Sequence, residues 1–404
     1  MKNILVLTFW SYKDALIQTY TLPYLRIISR FLPQNSTIFL LTLEKPHLQI
    51  NTEERKNIEH ELSKYGIQLI EAPYQNFGIK ALFTWIGIIF SLFFLIFRKN
   101  IHYIHSFCTP AGVAGVLLSY LTFRPLILDS YEPHAEASIE NGDWTKQSFR
   151  FKFLFFMEKL MSKRAKYIIS ATEGMKDYAL KKYNATFKNF FIKPACVNLE
   201  LFSEQNIKKY NLLEKYNLKN KIVCVYAGKF GGIYLEQEIF DFLKLAADFW
   251  KDRFVILLLT NQSDEQIEAW ANAANLDKSL IIKEFVFHHQ IPDYMGLADF
   301  ALTPVKPIPT KRYCTPIKNG EYWALGLPIV STANISDDSD IIEKYKIGSI
   351  IKKFNTKNYQ QVIEEIDQIL QVDRKELFQK IRQVAYQYRS FEIAEKIYEK
   401  IYAK

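Results

Sequence analysis

Short apolar runs recur along the chain, each followed by an amphipathic stretch of helical length, and this alternation sets the fold class. In the first half the runs fall at Asn3–Phe9, Ser36–Thr42, Gln68–Glu71, Ile101–His105, Pro125–Asp129, Tyr167–Ser170 and Asn189–Ile192. Helix-period segments separate them at Leu16–Phe31, Thr52–Tyr65, Ala81–Phe97, Gly112–Thr122 and Phe149–Ser162. The scheme restarts at Ile222–Ala227 and continues with Phe254–Thr260, Leu280–Glu284, Phe300–Thr303, Pro328–Ser331 and Gly348–Ile351. Runs without internal alternation are what strands buried on both faces look like, and strand–helix–strand order calls for parallel pairing. The predicted class is therefore α/β, with two doubly wound parallel-sheet domains facing across a cleft. Ligands of such sheets bind beyond the carboxyl ends of the strands. A polar, lysine-rich stretch at Ser203–Lys221 reads as a linker, which sets domains at 1–202 and 203–390 and leaves a final helix at 391–404.

The composition supports two packed cores. A chain of 404 residues with 49% hydrophobic and 24% charged residues is globular and long enough for two domains. A net charge of +9 favours an anionic partner. Cys108, Cys196, Cys224 and Cys314 are scattered without CxxC spacing, which argues against zinc or a disulfide framework and fits a reduced cytosolic compartment. The N-terminal apolar run is too short for a signal-peptide core and reads as the first buried strand. Ala81–Phe97 carries no charge and is bracketed by Lys80 and Arg98–Lys99. A true span would put strands of one sheet on opposite sides of a bilayer, so the expectation is a helix on the sheet whose surplus apolar face meets an anionic membrane surface. A wholly buried helix and a span are the alternatives.

Chemistry concentrates in three places. In Thr315–Thr332, Pro316 opens a helix, Lys318–Leu325 continues it, Gly326 stops it and a buried strand follows. The helix start, with Lys318 and the neighbouring Pro316 and Ile317, suits a diphosphate, and Glu321 one turn on can accept hydrogen bonds from ribose hydroxyls. At Val225–Gly232 a strand enters a glycine-rich turn in which Gly228 admits close backbone approach and Lys229 adds charge. The third place is the end of the Pro125–Asp129 run, where Asp129-Ser-Tyr-Glu-Pro-His-Ala-Glu136 offers Glu132, His134 and Glu136 to an acceptor hydroxyl, with His134 the first choice and Glu132 the second. N-caps or plain surface groups are the alternative reading of each. His105, at the end of the preceding run, belongs with this group.

Several other segments carry less. Trp10–Ala15 lacks the glycines of a dinucleotide fingerprint, and its Tyr12 and Lys13 read as surface loop. Ser148–Arg164 mixes aromatic and basic residues and reads as a core helix with a basic face, an interfacial helix being the alternative. No nucleic-acid module appears, so nucleic acid is not expected as a partner. Asp337-Asp-Ser-Asp340 resembles a metal-binding DxD but reads as capping and solvation residues, and no metal is assigned.

The spacing of Pro316, Lys318, Glu321, Tyr322, Ala324, Gly326 and Pro328 resembles the Pro-x-Lys-x-x-Glu-Tyr-x-Ala-x-Gly-x-Pro-Val-Val pattern of the GT-B-fold, retaining, family 4-like glycosyltransferases, which include many bacterial polysaccharide and lipid-linked glycan enzymes. Lys193–Phe202 is similar to the Pro-x-Gly-Val-Asp-x-x-x-Phe segment closing their first domain, with Cys196 in place of the glycine. The resemblance implies two Rossmann-like domains, the first for the acceptor and the membrane, the second for the donor, with the last helix crossing back to the first. It implies a hexosyltransferase-type enzyme moving sugar from a UDP- or GDP-linked donor to a glycan or lipid-linked acceptor at the inner face of the plasma membrane, with retention. Lys229 and Lys318 would neutralise the departing diphosphate, Glu321 would hold the ribose, Phe287 would meet the base, and His134 and Glu132 would orient the acceptor. Many members carry a further glutamate where this chain has Tyr313. A nucleotide-sugar epimerase of the same fold and a non-catalytic membrane scaffold are the alternative functions.

Overall fold

The computed structural model describes residues 2–75 and 78–403; Met1, Asn76, Phe77 and Lys404 lie outside the described residues. The chain divides into two compact units, Met1–Lys193 with Glu392–Lys404, and Pro194–Phe391.

Unit 1 holds seven parallel strands: β1 (Asn3–Leu7), β2 (Ile38–Glu44), β3 (Ile67–Pro73), β4 (Ile101–Phe107), β5 (Leu126–Tyr131), β6 (Tyr167–Ser170) and β7 (Phe190–Ile192). Their order is β3-β2-β1-β4-β5-β6-β7. β1, β2 and the first four residues of β5 are buried on both faces, which is why they read as runs. The predicted Leu16–Phe31 helix is two pieces, a π-helical turn at Leu16–Thr21 and an α-helix at Leu22–Phe31 with proline in its first turn. Pro23 has no N–H to continue the first piece, and the wider turn absorbs the mismatch.

Unit 2 holds six parallel strands: β8 (Ile222–Ala227), β9 (Phe254–Leu259), β10 (Ile281–Glu284), β11 (Phe300–Thr303), β12 (Ile329–Thr332) and β13 (Gly348–Ile351), ordered β10-β9-β8-β11-β12-β13. The order reverses between β8 and β11, which makes the loops after those two strands the place for a ligand. Ser203–Lys221 is not a free linker. It forms the short helix Tyr210–Lys215 and is fastened to its own unit by Lys208 to Asp299 (2.9 Å) and Asn206 to Asp293 (2.7 Å).

The apolar segment is the helix Ile79–Arg98, packed on the helix Thr109–Thr122 and on β4. Ala81, Leu92 and Ile96 are buried, whereas Leu82, Phe83, Ile86, Phe90, Phe94 and Phe97 are exposed, Phe83 by 68%. It is long and apolar enough to cross a membrane, and because its other face is exposed it is not the wholly buried helix weighed above. Ser148–Arg164 is likewise divided, with Leu154, Met157 and Met161 inward and Phe149, Phe153 and Phe156 outward.

Candidate active site

In unit 2 the helix Ile317–Ala324 starts at Pro316, which serves as N-cap without a side-chain hydrogen bond. Thr315, the residue able to cap it, instead accepts hydrogen bonds from Arg389 (2.5 Å) and the Ala195 N–H (3.3 Å). The Asn319 N–H turns back to the Pro316 carbonyl (3.2 Å), while the N–H groups of Ile317 and Lys318 donate no hydrogen bond among the described residues and suit another acceptor. The helix ends on a Schellman pair, Leu327 N–H to the Tyr322 carbonyl (2.9 Å) and Gly326 N–H to that of Trp323 (3.0 Å). Gly326 has φ +67°, and a Cβ there would lie 2.4 Å from Phe378 Cδ2, so only glycine fits.

Lys318 and Glu321 share one helix face and form an ion pair, Nζ to Oε2 2.8 Å, with the Glu321 side chain 7% exposed and that of Lys318 30%. In the free protein the cation and the acid therefore satisfy each other, and a ligand carrying both phosphate and hydroxyls can replace both halves. Tyr322, fully buried, explains the Glu-Tyr dipeptide: its hydroxyl accepts the Ala227 N–H at 2.9 Å and ties the helix to the end of β8. Burial pushes the Tyr322 phenol well above its ordinary range, which keeps it a neutral hydrogen-bonding group.

Beyond β8, Gly228 does not offer its N–H to a phosphate, because that group already donates to the Leu259 carbonyl at 3.1 Å. The glycines with left-handed φ are Gly231 and Gly232 (+79° and +61°), and neither N–H donates a hydrogen bond among the described residues. Lys306 holds this turn to the loop after β11, its Nζ donating to the Gly232 carbonyl at 2.7 Å. Lys229 is exposed and makes no ion pair among the described residues. Phe287, in the loop after edge strand β10, is 71% exposed and stacks on His289.

A polar network that sequence reasoning missed lies beneath the Ile317–Ala324 helix. Thr303 donates to Asn319 (2.5 Å), Asn319 donates to Asp338 (2.7 Å), and Arg389 donates to both oxygens of Asp338 (2.5 Å each). Asp338 is thus not a solvation residue. Asp340 of that cluster does behave so, pairing with Arg312 at the surface.

In unit 1 the predicted acceptor cluster separates into different roles. His134 and Glu132 are half-buried neighbours, Nε2 to Oε1 3.5 Å, and His134 Nδ1 has no hydrogen-bond partner among the described residues. Glu136 is committed to Tyr178 (2.6 Å) and Lys182 (2.7 Å). His105 is fully buried between Asp129 and Tyr402, and burial lowers its pKa. Tyr12, read as surface, is buried, and Lys13 pairs with Glu54 at 2.7 Å.

The buried Glu158 holds the start of the His134–Glu140 helix by accepting the Ala135 N–H (2.9 Å), and its other oxygen accepts from the Tyr183 hydroxyl (2.8 Å). Burial pushes this carboxyl up to about 8 despite the hydrogen bonds that favour its charged form. Between the ordinary value of 4.5 and about 8 the folded state keeps a proton that the unfolded chain has lost. The stability it contributes is full at acid pH and falls as pH rises through that window. Melting curves of the full chain from pH 5 to pH 8 are expected to decline more steeply for the wild type than for Glu158→Gln; parallel curves would contradict this role.

The geometry of unit 2 coincides with a family match. Residues 208–388 match the model of glycosyl transferases group 1. No curated protein matches the chain. Among solved structures, the sucrose-phosphate synthase of Thermosynechococcus elongatus is similar with a TM-score of 0.72 at 14% identity, over 100% of this chain and 98% of that one. HepE of Anabaena, in complex with UDP, gives 0.70 at 13% identity, over 99% of both chains. WaaG, a glycosyltransferase involved in lipopolysaccharide biosynthesis, gives 0.68 at 14% identity, over 100% of both. Residues 208–388 thus carry the match to glycosyl transferases group 1, and the chain is a glycosyltransferase with the GT-B fold.

Proposed function

We propose that this glycosyltransferase moves a sugar from a nucleoside diphosphate donor to a lipid-linked or surface-polysaccharide acceptor at the cytoplasmic face of a membrane, with retention of configuration. The observation that carries the donor half is the Lys318–Glu321 pair on a helix whose first two N–H groups have no acceptor among the described residues, tied through Tyr322 to the strand that leads to Lys229. HepE, similar in fold, is solved with UDP. Lys229, Lys318 and the helix start stabilise charge that grows on the diphosphate as the glycosidic bond breaks, which lowers the barrier more than it tightens substrate binding. Glu321 takes the ribose hydroxyls, and Phe287 gives the base an apolar face. His134, whose Nδ1 has no hydrogen-bond partner among the described residues, and Glu132 orient the acceptor hydroxyl, while the departing phosphate receives its proton.

The membrane half rests on the exposed face of Ile79–Arg98. Seven large apolar side chains there, Ile79 among them, share the surface with Lys80, Arg98 and Lys99, the pattern of a helix that lies in an anionic interface. Flotation of the full chain with phosphatidylglycerol vesicles tests it. The wild type is expected to float and Phe83→Ser/Phe90→Ser to stay below, with UDP affinity intact in both. Incubation with labelled UDP- and GDP-sugars and membrane lipid extract is expected to label a lipid-phase product in the donor's anomeric form. A wild type that neither floats nor labels that fraction would overturn this acceptor assignment.

A further inference from the structure

The chain leaves unit 1 after Lys193 and re-enters it at Glu392, and one carboxylate holds both segments. Asp129, near the end of β5, is buried; its Oδ1 lies 3.2 Å from Lys193 Nζ, and its Oδ2 accepts from the Tyr398 hydroxyl at 2.6 Å. The same Oδ2 is 3.3 Å from His105 Nε2, and His105 Nδ1 is 2.6 Å from the Tyr402 hydroxyl, so the returning helix Phe391–Tyr402 is gripped twice. The Lys193 ammonium also sits 3.5 Å over the Tyr24 ring and donates to the Tyr20 hydroxyl at 3.4 Å. Tyr20 in turn is 2.7 Å from Ser130 Oγ. Burial works against the Asp129 carboxylate, yet Lys193, His105 and Tyr398 hold it at about 2, so it stays charged.

Two features indicate that this cluster does more than fill the core. A wholly buried ion pair is a weak source of net stability compared with apolar side chains of the same volume, so its geometry is its asset. In addition, Ser130 has a left-handed φ of +53°, a conformation that a residue other than glycine keeps only where its surroundings enforce it. The kink at Ser130 directs the chain from Asp129 into Tyr131-Glu132-Pro133-His134. Thr109 secures the far side of this loop by donating to the Glu132 carbonyl at 2.7 Å.

We propose that Asp129 is a positioning residue for sugar transfer, fixing the Glu132–His134 loop in register with the two segments through which the chain leaves and re-enters unit 1. The inference rests on the acceptor role given to that loop above. Asp129 does not touch substrate; it acts through Ser130, Lys193 and Tyr398. The test uses the full chain with Tyr398→Phe, which deletes one hydrogen bond, and with Asp129→Asn/Lys193→Met, which removes both charges together so that neither is left buried alone. Both are expected to fold, to bind UDP as the wild type does, and to show kcat lower by about ten- to hundredfold with a raised acceptor KM, because small displacements of reacting groups are costly. Folded variants with wild-type kcat and acceptor KM would overturn the inference, even if their melting temperatures fell. A wild type that transfers no sugar would overturn the functional reading and this inference with it, whereas variants that match an active wild type would overturn this inference alone.

Discussion

Replacing Lys318 by alanine is expected to lower kcat by about a hundred- to thousandfold, the usual cost of removing one preorganised group that stabilises transition-state charge. Lys318 stands in the first turn of the Ile317–Ala324 helix, so its ammonium adds to the partial positive charge of the open N–H groups. The substitution has a second consequence. Glu321 is 5% exposed and loses its only ion-pair partner among the described residues, which leaves an uncompensated carboxylate beside an incoming diphosphate. Glu321→Ala acts differently, because the ribose is held alike in the ground and transition states; its main effect is expected on donor KM. Steady-state kinetics with varied donor separates the two patterns. Equal effects on kcat and KM in both variants would remove the division of labour between cation and acid.

Arg389→Ala is expected to destabilise the protein by about 3–5 kcal/mol, the range for removing one partner of a buried pair. The guanidinium is wholly buried and donates to both Asp338 oxygens, to Thr315 and to the Ala195 carbonyl. Its loss leaves Asp338 charged without a counterion in a site whose burial already disfavours the carboxylate and raises its pKa. Asn319 then loses a well-placed acceptor, and the helix that carries Lys318 loses its support from below. Replacing both partners with apolar residues of similar volume, Arg389→Met/Asp338→Leu, is expected to recover much of the loss. Urea denaturation checks both. A single variant within about 0.5 kcal/mol of the wild type, the usual range for a surface substitution, would show that the pair carries no structural weight.

The strands and the donor motif were legible because their signals are local. Four strands, Tyr167–Ser170, Ile222–Ala227, Phe300–Thr303 and Gly348–Ile351, have the bounds expected from apolar runs alone. Pro316, Glu321 and Gly326 are separated by fixed steps on one helix, so their spacing encodes their geometry. The buried networks were illegible for the opposite reason. Asp129 is joined to Lys193 and Tyr398, and Asp338 to Arg389, by contacts between distant parts of the chain that leave no periodicity. Asp337-Asp-Ser-Asp340 has the composition of an exposed helix start whether or not an arginine covers one member. The engagement of the Gly228 N–H was equally illegible, because a glycine in a turn reveals permissible conformations but not where its N–H points. Tyr12 was misread because a polar loop context outweighed one aromatic ring.

Calorimetric titration of UDP and GDP into the full chain, beside Lys229→Ala/Lys318→Ala, bears most directly on the role given to unit 2. The expected result is saturable one-site heat with at least one nucleotide for the wild type and at least about a tenfold weaker affinity for the double variant, the scale of one lost charged hydrogen bond. Absence of binding for both nucleotides, or equal affinity in wild type and variant, would contradict it.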